Sequence, residues 1–204
     1  MEIKLNEKKK NNALEYLPKM KSNYDLVSPF YNDIKYTLYN GCKYYPNMLC
    51  AQHDFTIFNK IKEDLFKEEN IIHWSKHHKI DNPTLSTIFN NIIESISRFF
   101  NIIVLQTRLN YYTYQDWKPF HHDSHAYTNK MKEDITIGCS LGSSRNLTFK
   151  HVESNIYFNF PQNNGDIFCF DYDTNIKFQH GISKLKTKNP DNLRISIIIW
   201  GKQN

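Results

Sequence analysis

Two different periods of apolar side chains divide the chain. From Thr56 to Glu69, Ile57, Ile61 and Leu65 recur every four residues with Phe58 and Phe66 beside them, which predicts an amphipathic helix. A second helix is predicted where Asn82 can cap the N-terminus, Pro83 suits the first turn, and Leu85, Ile88, Phe89, Ile92, Ile96 and Phe99 form one stripe. The first 55 or so residues show no clear period and predict short elements and loops. Between the helices, His73-Trp74-Ser75-Lys76-His77-His78 reads as a loop rich in imidazole. No carboxylate or cysteine stands beside it at ligand spacing, so a metal site there is not expected.

After Asn101 the period becomes extended. The runs are Ile102 to Tyr112, Ile135 to Gly142, Asn146 to Val152, Tyr157 to Phe160, Asp166 to Asp171, Ile176 to Gly181 and Arg194 to Trp200. Turn residues separate most of them, including Gly142-Ser143-Ser144 and Asn163-Asn164-Gly165. Many short strands in succession predict a sandwich or barrel, with a jelly roll the natural candidate. The expectation is a single α+β domain over 1–204. Its helical portion, about 1–100, would shape the substrate lid, and a double-stranded β-helix (jelly-roll) core would occupy about 101–204. A chain of 204 residues is long enough for one real core and short for two.

Composition narrows the partners. Hydrophobic residues make up 40% and aromatics 15%, which fits a packed protein rather than a disordered one. A net charge of +5 permits an anionic partner, but the basic residues are spread out, and the one run, Lys8-Lys9-Lys10, reads as a solvated tail. Cys42, Cys50, Cys139 and Cys169 form no CxxC pair, which argues against a zinc ribbon and for reduced thiols. With no signal-like segment and no apolar run of about 18 residues, a soluble intracellular protein is expected, in cytoplasm or nucleus.

The chemistry concentrates in Lys118-Pro119-Phe120-His121-His122-Asp123-Ser124-His125. On an extended strand His121 and Asp123 share a face while His122 points to the other. They are two thirds of a facial metal triad. His180, on a separate predicted strand of the same β-rich half, is the natural third ligand. Two histidines and one carboxylate leave positions open on iron, enough for a bidentate 2-oxo acid and dioxygen. Arg194 opens a strand fourteen residues beyond His180, and its forked guanidinium suits a distal carboxylate.

These residues resemble the AlkB-like branch of the iron(II) and 2-oxoglutarate dioxygenases, whose pattern is Asn-x-Tyr, then His-x-Asp, then a distant His followed by Arg. Asn110-Tyr111-Tyr112 matches the first element, eleven residues before His121. The likeness covers roughly Leu105 to Trp200. It implies Fe(II) held by His121, Asp123 and His180, and 2-oxoglutarate contacted by Asn110, Tyr112 and Arg194, with Ser196 at the next position of the family's Arg-x-Asn-x-Thr-x-Arg run. Trp200 stands where that run has its second Arg. The implied reaction couples decarboxylation of 2-oxoglutarate to succinate with O2-dependent hydroxylation of a C–H group. On an N-methyl carbon that hydroxylation releases formaldehyde.

The favoured substrate is an N-alkylated base in DNA or RNA, with Trp74, Trp117, Tyr114 and Tyr127 as candidate stacking platforms. Gly138, Ser140, Arg145 and Lys150 are candidate pocket residues. Hydroxylation of a protein or small molecule is the alternative. Further rivals are an inactive jelly-roll binding protein and a cupin-type metal site using His122 or His125. The sequence leaves the oligomeric state open.

Overall fold

The computed structural model describes residues 2–13, 31–67, 71–74, 76–84, 86–123, 127–128, 131–186 and 188–204. Ser75, Leu85, Ser124 and His125 lie outside them, as does the side chain of Tyr127. In chain order the elements are α1 (Tyr31–Gly41), β1 (Cys42–Tyr45), α2 (Thr56–Leu65), β2 (Ile72–Trp74), β3 (His77–Asp81), α3 (Thr87–Phe100), β4 (Ile102–Tyr112) and β5 (Lys118–His121). They continue with β6 (Tyr127–Thr128), β7 (Met131–Lys132), β8 (Ile135–Gly142), β9 (Arg145–His151), β10 (Tyr157–Gln162), β11 (Ile167–Asp171), α4 (Tyr172–Lys177), β12 (Phe178–Ile182) and β13 (Arg194–Gln203).

Two antiparallel sheets face each other. The larger has the order β1-β11-β8-β13-β4-β3-β2 and the smaller β10-β9-β12-β5, with β6 and β7 as a separate hairpin. This is the expected α+β architecture, a jelly roll with flanking helices. The alternation along the central strands sets the layers. Leu109 on β4, Ile137, Cys139 and Leu141 on β8, and Ile195, Ile197 and Ile199 on β13 point outward. They meet Ile57, Ile61 and Leu65 of α2 and Ile88, Phe89, Ile92 and Ile96 of α3. Each such buried side chain contributes roughly 1.5–3 kcal/mol, which is why the helical stripe and the strand alternation lock together. Between the sheets, Phe149, Phe158, Phe160 and Phe178 pack on Tyr44, Phe168 and Phe170. Intervening positions of β4, β8 and β13 face the same interior at its other end, where the lining turns polar.

Several local expectations are corrected. The helix predicted from Asn82 begins at Thr87, because Ser86 is the cap and its Oγ accepts from Phe89 N at 3.1 Å. Asn82 instead takes a left-handed turn, and its Oδ1 accepts from Thr107 N on β4 at 2.9 Å. His73, Trp74, His77 and His78 are strand residues and not loop. They belong to β2 and β3, which pair with each other and extend the large sheet through β4. The strand predicted from Ile176 starts at Phe178, since the six residues before it form α4, capped by Asp171 Oδ1 accepting from Thr174 N. All four cysteines are free. No helix among the described residues is long and apolar enough to cross a membrane.

Candidate active site

His121 ends β5, and His180 lies opposite it on β12. Asp123 follows two residues beyond β5, where Asn175 of α4 grips its backbone: Asp123 N donates to Asn175 Oδ1 at 2.9 Å and Asn175 Nδ2 donates to Asp123 O at 3.1 Å. The result is one compact cluster. Asp123 Oδ1 stands 3.5 Å from His121 Nε2 and 3.5 Å from His180 Nε2, and all three candidate ligand atoms lie within 4.8 Å of one another. His122 turns away, its Nδ1 on the Asn175 carbonyl, and takes no part.

The protonation states suit a cation. His121 Nδ1 is 2.9 Å from Pro119 O, and a carbonyl can only accept, so Nδ1 carries a proton and the buried Nε2 is the nitrogen turned toward Asp123. His180 packs against Phe149 and Phe170 at ring separations of 5.7 and 5.0 Å, and burial pulls its pKa down to about 4, which keeps it neutral. Burial opposes the charge on Asp123. The neighbouring His180, His121 and Lys118 outweigh that and hold its carboxyl well below the ordinary range. An ionised carboxylate between two imidazoles is the donor set of a divalent transition metal.

The second oxygen of Asp123 has other work. Trp200 Nε1 donates to Oδ2 at 3.1 Å and Thr136 Oγ1 donates to it at 3.3 Å, leaving Oδ1 to face both histidines. The indole is itself fixed by the Arg108 guanidinium 5.0 Å above its ring. Trp200→Phe, which keeps the ring and deletes the N–H, should weaken divalent metal binding about 10- to 100-fold in a Mn(II) titration, as loss of a ligand-orienting partner does. Unchanged affinity would show that the hydrogen bond does not orient the carboxylate.

Beside this cluster is a cavity lined by Asn110, Tyr112, Ser196, Arg194, Lys118 and Gln162 among others. Every residue read from the sequence as a 2-oxoglutarate contact is in its wall. Arg194 is 2% exposed. Its Nε donates to Ser140 Oγ at 2.9 Å and its guanidinium covers the Tyr112 ring at 5.4 Å, while the buried Nη1 has no partner. Burial lowers its pKa to about 10 and raises that of Tyr112 to about 12, so at neutral pH the pair is a cation and a neutral phenol. A buried donor with nothing to bind marks a place for an anion. Behind this wall the buried His77 ring stacks on Tyr112 at 4.9 Å and its Nε2 meets Asn110 Oδ1 at 3.2 Å.

Lys118 is the residue sequence reasoning missed. Simple alternation would send it away from His121, yet the two share a face, because Ile182 pairs with Lys118 while His180 pairs with His121. Two steps on β12 thus oppose three steps on β5, a β-bulge that reverses the parity. Gly181 permits it: a Cβ there would fall 2.7 Å from Lys118 O and 3.2 Å from Phe120 N. The candidate pocket residues divide. Gly138 lines the cavity, and Ser140 holds Arg194. Arg145 binds the carbonyls of Thr113, Asp116 and Ser183 and so ties down loops, and Lys150 stands 5.9 Å from the exposed Phe120 ring. Trp74 is exposed and flanked by Lys79, Arg108 and Lys118 at 4.8, 5.6 and 5.9 Å.

No protein-family model and no curated protein matches the sequence. Solved structures do match in shape. A Pseudomonas putida prolyl-4-hydroxylase superposes with a TM-score of 0.59 at 9% identity, over 80% of this chain and 93% of that one. The chain has the fold of the 2-oxoglutarate and iron(II) oxygenases. OsALKBH1 gives a TM-score of 0.58 at 13% identity over 80% of this chain and 97% of its own. A viral collagen prolyl hydroxylase from Paramecium Bursaria Chlorella virus-1, solved as a 2OG complex, gives 0.55 at 10% identity over 80% and 96%.

Proposed function

We propose that the protein is an Fe(II)- and 2-oxoglutarate-dependent dioxygenase acting as one domain. The observation that carries the reading is the convergence of His121, Asp123 and His180 beside a buried, partly unpartnered Arg194. His121, Asp123 and His180 would hold Fe(II), and Asn110, Tyr112, Arg194 and Ser196 would hold 2-oxoglutarate. The metal, when bound, supplies the site for dioxygen and the oxidising power for C–H hydroxylation. The protein's own residues orient and exclude: Trp200 and Thr136 fix the Asp123 carboxylate, Pro119 sets the His121 tautomer, and the aromatic layer of Phe149, Phe168 and Phe170 keeps water from one side.

For the prime substrate we favour an N-alkylated base in DNA or RNA, demethylated oxidatively in the AlkB manner. The support is the exposed Trp74, a stacking surface with Lys79 and Arg108 over its ring, and the β2–β3 hairpin as part of the lid. Hydroxylation of a protein is the second reading, favoured by the likeness to two prolyl hydroxylases.

Anaerobic Fe(II) with 2-oxoglutarate should produce a weak visible metal-to-ligand charge-transfer band in the wild type, absent in Asp123→Ala. In air the wild type should form succinate, and formaldehyde with it when N-methylated oligonucleotides are supplied. A wild type without the band would refute the dioxygenase reading. Succinate without formaldehyde would turn attention to the protein substrate.

A further inference from the structure

The cavity holds more positive charge than its own residues neutralise. Arg108 and Lys79, near its rim, are both answered by Asp81, at 2.5 and 2.7 Å. Arg145 is not in the cavity wall and donates to three carbonyls. Lys118 and Arg194 have no ion-pair partner among the described residues, and Asp123 is the one carboxylate in the cavity wall. With a divalent ion on Asp123 and two neutral imidazoles, one ammonium and one guanidinium would leave the cavity three charges positive. Cations are stable away from water only when an anion meets them, so this wall is built for a dianion.

The two cations stand on opposite sheets. Arg194 begins β13 of the large sheet, opposite Tyr112 and Gly142. Lys118 is on the small sheet with His121 and His180, aimed inward by the β5 bulge against Gly181. We propose that Lys118 is the second anion-binding residue of the cavity, holding the carboxylate at the metal end of a bound 2-oxo acid while Arg194 holds the distal one. The inference rests on the dioxygenase reading. It also gives the bulge a purpose, since a regular β5 would turn Lys118 out of the cavity.

The test uses the Mn(II)-loaded protein and calorimetric titration with two acids, 2-oxoglutarate and 2-oxopentanoate, which lacks the distal carboxylate. Lys118→Met should weaken both acids by the same factor, about 10- to 100-fold, as loss of a charge-assisted hydrogen bond does. Lys118→Arg should restore much of it. Arg194→Met should weaken 2-oxoglutarate alone and bring the two acids level. Mn(II) itself should bind Lys118→Met no more weakly than wild type, because a repelling charge has gone, whereas general damage to β5 would lower metal and acid affinity together. Undiminished 2-oxoglutarate binding by Lys118→Met would overturn the proposal and leave the dioxygenase reading standing, with Lys118 facing an anionic prime substrate. Weakening of 2-oxoglutarate alone would also overturn it, by placing Lys118 at the distal end. A wild type that takes Mn(II) but neither acid would sink both readings.

Discussion

Arg194→Met is expected to lower 2-oxoglutarate affinity by about 10²- to 10³-fold and, at the same time, to stabilise the ligand-free protein by about 1–3 kcal/mol. The two effects have one cause. The guanidinium is 2% exposed, donates to Ser140 Oγ, lies over the Tyr112 ring, and has a buried Nη1 without a partner. Desolvating such a cation costs more than its present contacts return, and methionine fills similar volume without charge. Ser140 Oγ keeps its bond to the Gln162 carbonyl, so the substitution strands no hydroxyl. Urea unfolding of the free protein, alongside a titration with 2-oxoglutarate, checks both arms. If Arg194→Met were less stable than wild type by a similar amount, the arginine would be a structural ion and not a ligand clamp.

Gly181→Val should do the reverse, damaging fold and site together. Any side chain at this position meets the Lys118 carbonyl at 2.7 Å and the Phe120 amide at 3.2 Å, both main-chain atoms that cannot rotate aside. Relief requires β5 to move off β12, which displaces His121 and Lys118 from the cavity. The expected cost is about 2–4 kcal/mol of stability, somewhat beyond the usual overpacking penalty because a strand pair is opened. Metal affinity should fall more than tenfold, since one ligand is carried on the displaced strand. Denaturation midpoints and Mn(II) titration measure the pair. A stable Gly181→Val protein with normal Mn(II) affinity would mean that the bulge is not what aims β5.

Much of the candidate site was legible from residue spacing because strand parity is a local property. Outward Ile and Leu on β4, β8 and β13 force Asn110, Tyr112, Ser140, Arg194 and Ser196 inward without reference to any other part of the chain. The His-x-Asp spacing and the placing of His180 on a separate strand were legible too, although Asp123 stands beyond the end of β5 and owes its direction to Asn175 rather than to strand alternation. Helix positions were legible as stripes, but their starts were not. Asn82 and Ser86 are both competent caps, and the choice falls to Ser86 because β4 already engages Asn82 through Thr107.

What only the tertiary structure decided are the features that depend on a partner strand. A bulge is invisible in the sequence of the strand that carries it, since its register is set by Gly181 on β12, sixty-odd residues away, and so Lys118 could not be placed by alternation. The His73 to His78 stretch has no period of its own and becomes two strands because the open edge of β4 supplies hydrogen bonds. The six residues of α4 are too few to show a helical period, yet they carry the Asn175 side chain that holds Asp123. Trp200 read as the loss of an arginine. In the fold it lies against the Asp123 carboxylate and donates to the oxygen that the histidines leave free. Local spacing determines which face a side chain takes, and the pairing of distant strands determines what stands opposite it.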